Sequence, residues 1–153
     1  MRWKNIILTL VLTTSTSLIY SQKSLDDIEG LRKNAISFSF FGATPILGIT
    51  YERVLAKKLS LEIGVGLPSV GLGLKIFPRN IRMNKAMFHV GITATYFASQ
   101  ESEMTPPPSL VVYIPIGVSY YGKKGFNFGI DLGPGRAYER FIPYGNLKFG
   151  YRF

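Results

Sequence analysis

From Ala35 to the C-terminus, apolar and polar residues alternate with a period of two. Successive side chains of a β-strand point to opposite faces, so this alternation predicts strands with one apolar and one polar face. Eight such segments can be counted, separated by stretches of Pro, Gly and Lys that favour turns. They cover residues 35–43, 46–54, 59–67, 70–77, 86–98, 109–121, 125–133 and 144–153. The predicted fold is therefore all-β, with eight antiparallel strands.

The composition of the two faces distinguishes a membrane barrel from a soluble one. In residues 59–67, Leu, Ile and Val occupy one face, and Ser, Glu and Gly occupy the other. A soluble lipocalin-like barrel has the inverse arrangement, with apolar side chains inside. Small polar residues suit the narrow interior of an eight-stranded barrel. The pattern therefore predicts a transmembrane up-and-down β-barrel whose apolar face contacts lipid.

Two segments precede the predicted barrel. Residues 1–21 combine a basic start, a short apolar centre and small residues before Gln22, which predicts a cleaved secretory signal peptide. The alternative is a buried N-terminal helix or strand. Residues 24–33 combine a capping Ser, acidic residues and a narrow apolar stripe, which predicts a short helix. The expected domains are a signal peptide (1–21), a periplasmic N-terminal segment (22–34) and the β-barrel (35–153).

Composition narrows the chemistry that the chain can carry. Charged residues make up 18% of the sequence, below the roughly 25% that is usual for soluble domains. The chain has no Cys and a single His, so disulfides, thiolate metal sites and a His-rich zinc site are excluded. We expect no cofactor and no bound metal.

The net charge of +9 would ordinarily suggest a nucleic-acid partner. The basic residues of the predicted short turns, however, lie on separate turn tips with no acidic residue among them. They are Lys57, Lys58, Arg79, Arg82, Lys85, Lys123 and Lys124. With both chain ends in the periplasm, these turns face the periplasm. There they either keep the turn tips soluble and anchored or contact anionic inner-leaflet headgroups or the cell wall. Nucleic acid is not an expected partner.

The last ten residues, Y-G-N-L-K-F-G-Y-R-F, place one set of apolar residues on a single face: Leu147, Phe149, Tyr151 and Phe153. This stretch resembles the C-terminal signal strand of outer-membrane β-barrels, which closes the barrel and is recognised by the barrel assembly machinery. The resemblance implies that these residues form an assembly signal and that the machinery is a partner.

From about Asn34, the chain resembles the small outer-membrane β-barrel proteins of Gram-negative bacteria, in the group of OmpA-like and OmpW-like eight-stranded barrels. The segments F-G-A-T-P-I-L-G-I-T-Y-E-R, L-S-L-E-I-G-V-G and K-F-G-Y-R-F carry this resemblance together with the signal peptide. It implies the barrel, an outer-membrane location and assembly at the C-terminal strand. We expect outer-membrane lipids as partners and a monomeric protein. The resemblance does not fix an activity, because the same barrel hosts plugs, pores, adhesins and lipid-modifying enzymes.

The ionisable residues of the strands fall mainly on the polar face, which faces the lumen. They form a predicted interior polar network of Glu52, Glu62, Lys75, His89, Asp131, Lys148 and Arg152. Buried ions need partners, so we expect these residues to pair and to plug the barrel. The predicted function is structural, anchoring or interaction. The alternative is a narrow pore or transporter for small or hydrophobic solutes, with the network as a polar path.

A lipid-modifying enzyme is the third hypothesis. His89 is the only histidine, and a hydrolase would need a Ser or an acidic partner for it within hydrogen-bond reach. Lipid A deacylases of this size carry a Ser two positions after the His, whereas this chain has Gly91. His89 also faces the lumen in the predicted register. We therefore predict that the protein is not an enzyme and that His89 is a hydrogen-bonded interior residue.

Two local features complete the expectations. Pro115 lies inside the sixth segment, where its missing N–H predicts a β-bulge or a water-satisfied carbonyl opposite it. Aromatic residues near the predicted strand ends are expected to form the girdles of a membrane barrel. They are Tyr51, Tyr96, Tyr120, Tyr121, Tyr144, Tyr151 and Phe153.

Overall fold

The computed structural model describes residues 30–44, 47–67, 69–97, 109–137 and 140–153. Within these ranges the chain forms nine β-strands and no helix. The strands are β1 (Asn34–Phe41), β2 (Leu47–Ala56), β3 (Leu59–Gly66), β4 (Ser69–Ile76), β5 (Ala86–Phe97), β6 (Ser109–Tyr113), β7 (Ile116–Tyr121), β8 (Phe126–Ala137) and β9 (Arg140–Arg152). The predicted signal peptide and residues 22–29 lie outside the described residues. Residues 30–33, the end of the predicted helix, form a turn and irregular backbone.

Antiparallel pairing runs round the sheet, and β1 pairs with β9 to close it. β6 and β7 both lie between β5 and β8, so they are two parts of one wall strand. The prediction of a closed eight-stranded antiparallel barrel is confirmed, and a β-sandwich is excluded. One end of the barrel, the turn end, carries the start of β1, the end of β9 and the β2–β3, β4–β5 and β7–β8 turns. The opposite end is the loop end.

The two faces of the wall have the predicted directions. Outward side chains such as Ile49, Val65 and Leu72 are 57%, 62% and 54% exposed. Their neighbours in the chain lie on the inner face and are buried or half-buried, and this inward set consists largely of small or polar residues. The outer surface is therefore apolar all round the barrel, and the inner surface is polar.

Pro115 separates β6 from β7 without inserting a residue. β5 pairs with β6 and with β7 in one continuous register, so the expected bulge is absent. The Pro115 carbonyl accepts a hydrogen bond from Gly91 N at 2.9 Å. The reciprocal bond to the Gly91 carbonyl does not form, because proline has no N–H. One hydrogen bond of the ladder is therefore missing at Pro115, and the wall strand continues beyond it in the same register.

The β8–β9 hairpin extends to residues 134–137 and 140–143, which lie within the loop that the sequence predicted for residues 134–143. Pro134 lies directly opposite Pro143, and pairing persists beyond them. Ile114 N donates to Pro134 O at 3.0 Å, so the backbone polar groups of Pro134 face β6 and those of Pro143 face away from β8. Among the described residues, β1 pairs with β9 only as far as Asn146. Pro143 therefore lies on an edge of β9, the free edge, that has no described partner strand. The loop prediction is wrong because Pro134 and Pro143 occupy positions at which the pairing of β8 with β9 requires no backbone N–H.

Two members of the predicted aromatic girdle point into the barrel instead. Tyr121 is fully buried, and Tyr144 packs against Tyr113 with 4.9 Å between ring centroids. Tyr121 occupies an inward position of β7, two residues after the buried Ser119. The other predicted girdle residues are at least partly exposed, namely Tyr51, Tyr96, Tyr120, Tyr151 and Phe153.

Candidate functional site

The lumen at the turn end is closed by an apolar cluster, the apolar cap. It consists of Val54, Phe77, Ile81, Met87 and Tyr121, with Leu31 and Met83 packed against it. The β4–β5 turn enters the cap because Phe77 N donates to Lys58 O at 2.8 Å and Ile81 N donates to Lys57 O at 2.7 Å. These bonds fold the turn over the end of the barrel, and Ile81 is 1% exposed as a result.

Next to the cap lies the ion cluster, formed by Glu52, Glu62, Lys75, Lys148 and Arg152. Glu52 is its most highly connected member. Its Oε1 accepts hydrogen bonds from Arg152 Nη1 at 2.9 Å and from Tyr121 OH at 2.5 Å. Its Oε2 forms an ion pair with Lys148. Both oxygens of this buried carboxylate are thus paired, which offsets the free energy lost when it leaves water.

Glu62 extends the ion cluster across the barrel. Its Oε2 accepts hydrogen bonds from Lys75 Nζ and from Lys148 Nζ, each at 2.6 Å. Lys148 therefore bridges the two glutamates, and Lys75 Nζ also lies 3.9 Å from Glu52 Oε2. Glu52 and Glu62 are directly opposite each other on β2 and β3. Two carboxylates in this position would repel each other without the lysines between them.

Arg152 connects the ion cluster to the chain that enters the barrel. Its guanidinium lies over the Tyr121 ring, with 3.8 Å from Cζ to the ring centroid. Arg152 Nε donates to Arg32 O at 3.0 Å, and Nη2 donates to Lys33 O at 3.3 Å. All three nitrogens have acceptors, and the residues before β1 are held against the closing strand β9.

A second polar group, the Asp131 cluster, consists of His89, Tyr113, Ser119, Asp131 and Asn146. Tyr113 OH donates to Asp131 Oδ1 at 2.8 Å, and Asn146 Nδ2 donates to Oδ2 at 3.3 Å. His89 Nε2 lies 3.6 Å from Asp131 Oδ2, and His89 Nδ1 lies 3.2 Å from Ser119 Oγ. Within the described residues, no Lys or Arg lies within 4.0 Å of this carboxylate.

Ser119, His89 and Asp131 lie in the hydroxyl, imidazole and carboxylate order that serine hydrolases use, but the hydroxyl and the imidazole are both enclosed in the lumen. A nucleophile must reach a substrate, and the side chains of Ser119 and His89 are both 0% exposed. The His89 ring packs against Phe77, with 5.7 Å between centroids. The arrangement is that of an interior histidine held by hydrogen bonding and packing.

At the loop end, the connection after β1 turns into the lumen. Phe41 and Gly42 both have positive φ, 62° and 76°, which directs the chain inward. Ala43 and Thr44 are 0% exposed, and Thr95 Oγ1 donates to Gly42 O at 3.0 Å. Residues 42–44, the inserted segment, fill this end with backbone as well as side chains.

Glycines on the inner face of the wall make room for the inserted segment. A Cβ at Gly71 would overlap the carbonyl of Ala43, and one at Gly64 would meet the same carbonyl at 2.7 Å. On β2, a Cβ at Gly48 would meet the Thr44 Cγ2 at 2.5 Å. The small inward residues of β3 and β4 are therefore explained by what packs on them, since any larger side chain would occupy the same space.

The structure divides the predicted interior network into two groups. Five residues form the ion cluster, and His89 and Asp131 form part of a separate cluster. Sequence reasoning assigned no role to Tyr113 or Asn146 and placed Tyr121 in the aromatic girdle, although all three occupy inward positions of their strands. The period of two could have placed them in the lumen. The residues predicted as an assembly signal, Leu147, Phe149, Tyr151 and Phe153, lie on the outer apolar face.

The described residues contain neither a helix with the length and hydropathy of a membrane span nor a group of three or more His, Cys, Asp or Glu that could hold a metal. Comparison with protein-family models, curated proteins and solved structures gives no match for this chain. The resemblance to small outer-membrane barrels therefore stays a prediction from the residues that carry it.

Proposed function

We propose that the protein is a small integral β-barrel of a Gram-negative-type outer membrane, with a structural, anchoring or interaction role and a plugged polar interior. The observation that carries this proposal is the inversion of the two faces. Large apolar side chains are exposed on the outside of every wall strand, and the ion cluster is buried inside. In water, monomeric proteins rarely expose contiguous apolar patches larger than a few hundred Å². A lipid environment removes this cost.

Closure of the sheet also supports a lipid environment for the outer surface. Around most of the barrel each wall strand has a neighbour on both sides, so its backbone N–H and C=O groups are largely paired without water. Backbone groups exposed to hydrocarbon would cost several kcal/mol each, which is why closed barrels and helices are the structures that span membranes. The free edge of β9 near Pro143 lies at the loop end, beyond the last pair with β1.

A plugged interior is favoured over a pore because the lumen is occupied at both ends and in the middle. The apolar cap, the ion cluster and the inserted segment would each have to move before a solute could pass. The alternative function, a narrow pore or transporter, requires that rearrangement. Conductance in a planar bilayer distinguishes the two functions: we expect no channel steps, and stable single-channel steps would contradict the plug.

The membrane location is tested by cell fractionation and gel migration. A closed barrel resists detergent until it is heated, because its ladder hydrogen bonds are internal. We expect the protein in the outer-membrane fraction, with different migration of boiled and unboiled samples. A protein recovered from the soluble periplasm, with no shift on boiling, would contradict the proposal.

The proposed assembly signal and the enzyme hypothesis have separate tests. Removal of Phe153 should reduce outer-membrane assembly, whereas Phe141→Ser, at another exposed aromatic of β9, should not.

His89→Ala should leave the lipid A composition of the host unchanged, because the residue is enclosed in the lumen. A changed lipid A profile from a folded His89→Ala barrel would favour a lipid-modifying enzyme.

A further inference from the structure

The β4–β5 turn and the start of β5 enclose a groove of about 520 Å³ at the turn end. Basic and apolar residues line it together, among them Arg79, Arg82, Lys85, Met87 and Phe88. Arg79, Arg82 and Lys85 are exposed, and no carboxylate of the described residues lies within 4.0 Å of them. The groove therefore presents three cations whose charge is not offset locally.

The turn that carries these cations is held in place from inside the barrel. Ile81, between Arg79 and Arg82 in the chain, is anchored in the apolar cap. Arg82 N donates to Met87 Sδ at 3.0 Å, and Asn84 N donates to Tyr121 O at 2.5 Å. Because its backbone is fixed at several points, the groove is preorganised, and a ligand loses less free energy to ordering on binding.

The groove continues onto the outer apolar surface. Phe88 lines it and is 51% exposed on the lipid-facing side of β5. Phe88 pairs with Val118 of β7, and Val118 is also exposed. An anion in the groove thus lies at the border between the cationic turn and an apolar wall. A ligand that matches both surfaces has an anionic head and an apolar chain.

We propose that this groove binds the phosphate headgroup of an anionic phospholipid, with an acyl chain along Phe88 and Val118. The inference rests on the proposed membrane location, because it places the groove at the level of the headgroups. Arg supplies paired N–H donors that match phosphate oxygens, and Lys supplies a point charge.

Native mass spectrometry of the detergent-solubilised barrel with dioleoylphosphatidylglycerol tests the inference. The variant R79Q/R82Q/K85Q removes three charges from the groove, and the control K58Q/K123Q/K124Q removes three from the other turns of the same end. We expect lipid affinity to fall about tenfold or more in the groove variant, since each basic residue near an anionic headgroup adds to the attraction. The control should change affinity much less. Equal losses in both variants would overturn the site.

Two further measurements distinguish binding of a lipid from binding of a simple anion, and loss of binding from loss of folding. Glycerol 3-phosphate, the headgroup chemistry without acyl chains, should not displace the bound lipid, and Phe88→Ala should weaken lipid binding. Displacement by glycerol 3-phosphate would overturn the lipid assignment. Heat-dependent gel migration is measured on the same samples. A folded, heat-shifted barrel without lipid preference overturns this inference alone, whereas a wild-type protein without the shift counts against the proposed function as well.

Discussion

The two ends of the lumen are filled in different ways. Toward the turn end, long side chains from the wall meet in the centre, and the ion cluster pairs two acidic with three basic residues. At the loop end, glycines line the wall and the chain itself enters as the inserted segment. The first arrangement depends on charge pairing, and the second depends on the absence of side chains.

Because the two ends are filled differently, they should tolerate different kinds of substitution. A buried ion that loses its partner is left uncompensated, so the turn half should be sensitive to changes of charge. Among the described residues, few ions lie in the lumen of the loop half, so changes of volume should matter more there. The following variants test this contrast, from the largest expected effect to the smallest.

Glu52→Gln should produce the largest effect. It keeps the shape of the side chain but removes the negative charge that faces Lys148 and Arg152, leaving excess positive charge in the lumen. We expect the free energy of unfolding, measured by urea titration of the refolded barrel, to fall by about 3 to 5 kcal/mol. The double variant E52Q/K148M removes one charge of each sign and should recover part of that loss. A single variant as stable as the wild type would show that charge pairing does not govern the turn half.

Two tyrosine variants compare a buried carboxylate that has a basic partner, Glu52, with one that has no described basic partner, Asp131. Tyr113→Phe removes the hydroxyl that donates to Asp131, and Tyr121→Phe removes the one that donates to Glu52. Asp131 lacks a described Lys or Arg partner, so Tyr113→Phe should lower the free energy of unfolding by about 1.5 to 3 kcal/mol. Tyr121→Phe should cost less, because Arg152 still binds Glu52. The same urea titration measures both, and the reverse order would contradict this description of the clusters.

Gly71→Ala tests the volume limit at the loop end. Its added methyl group occupies the position of the Ala43 carbonyl, so the inserted segment should be displaced, at a cost of about 1 to 3 kcal/mol. Thr44→Cys reports the displacement, because Thr44 is buried and the chain has no other cysteine. A water-soluble maleimide should label this cysteine readily only in the Gly71→Ala background.

Gly73→Ala is the matched control for that experiment. A Cβ at Gly73 meets the Thr93 hydroxyl at 2.9 Å and no backbone atom of the inserted segment. The cysteine at position 44 should therefore stay protected from the maleimide in this variant. Equal labelling in both glycine variants would show that the segment is not held by the fit at Gly71.

The smallest effect is expected in the β8–β9 hairpin. Pro134→Thr supplies an N–H that faces the Ile114 carbonyl on β6, and one added ladder bond should stabilise the barrel by about 0.5 to 1.5 kcal/mol. Pro143→Thr supplies an N–H on the free edge and should change the free energy of unfolding much less. Comparing the two by urea titration tests the direction assigned to each proline.

Much of the fold was predictable because its signals are local. Six of the eight predicted wall strands agree with the structure to within two residues at each described end, including the strand that contains Pro115. The exceptions are the last two, which were predicted to stop at the prolines of residues 134–143. Whether a proline ends a strand depends on which neighbour its N would face, and that is a property of the assembled sheet.

The candidate site was only partly predictable for a related reason. Alternation placed Glu52, Glu62, Lys75, Lys148 and Arg152 on the inner face, but the same rule applied to Tyr121 conflicts with the expectation that aromatics at strand ends form a girdle. In the structure the inward position prevails, because Tyr121 OH donates to Glu52. The composition of a strand end does not show which carboxylate lies across the lumen.

The sequence by itself determined the direction of the two faces, the order of the strands and the polar character of the interior. These follow from the period of two and from turn residues, both of which act over a few neighbouring positions. Only the tertiary structure decided that Glu52 pairs with Lys148 and Arg152, and that residues 42–44 pack inside the wall. Those contacts join strands that are distant in the chain, and closure of the barrel sets the distances between them.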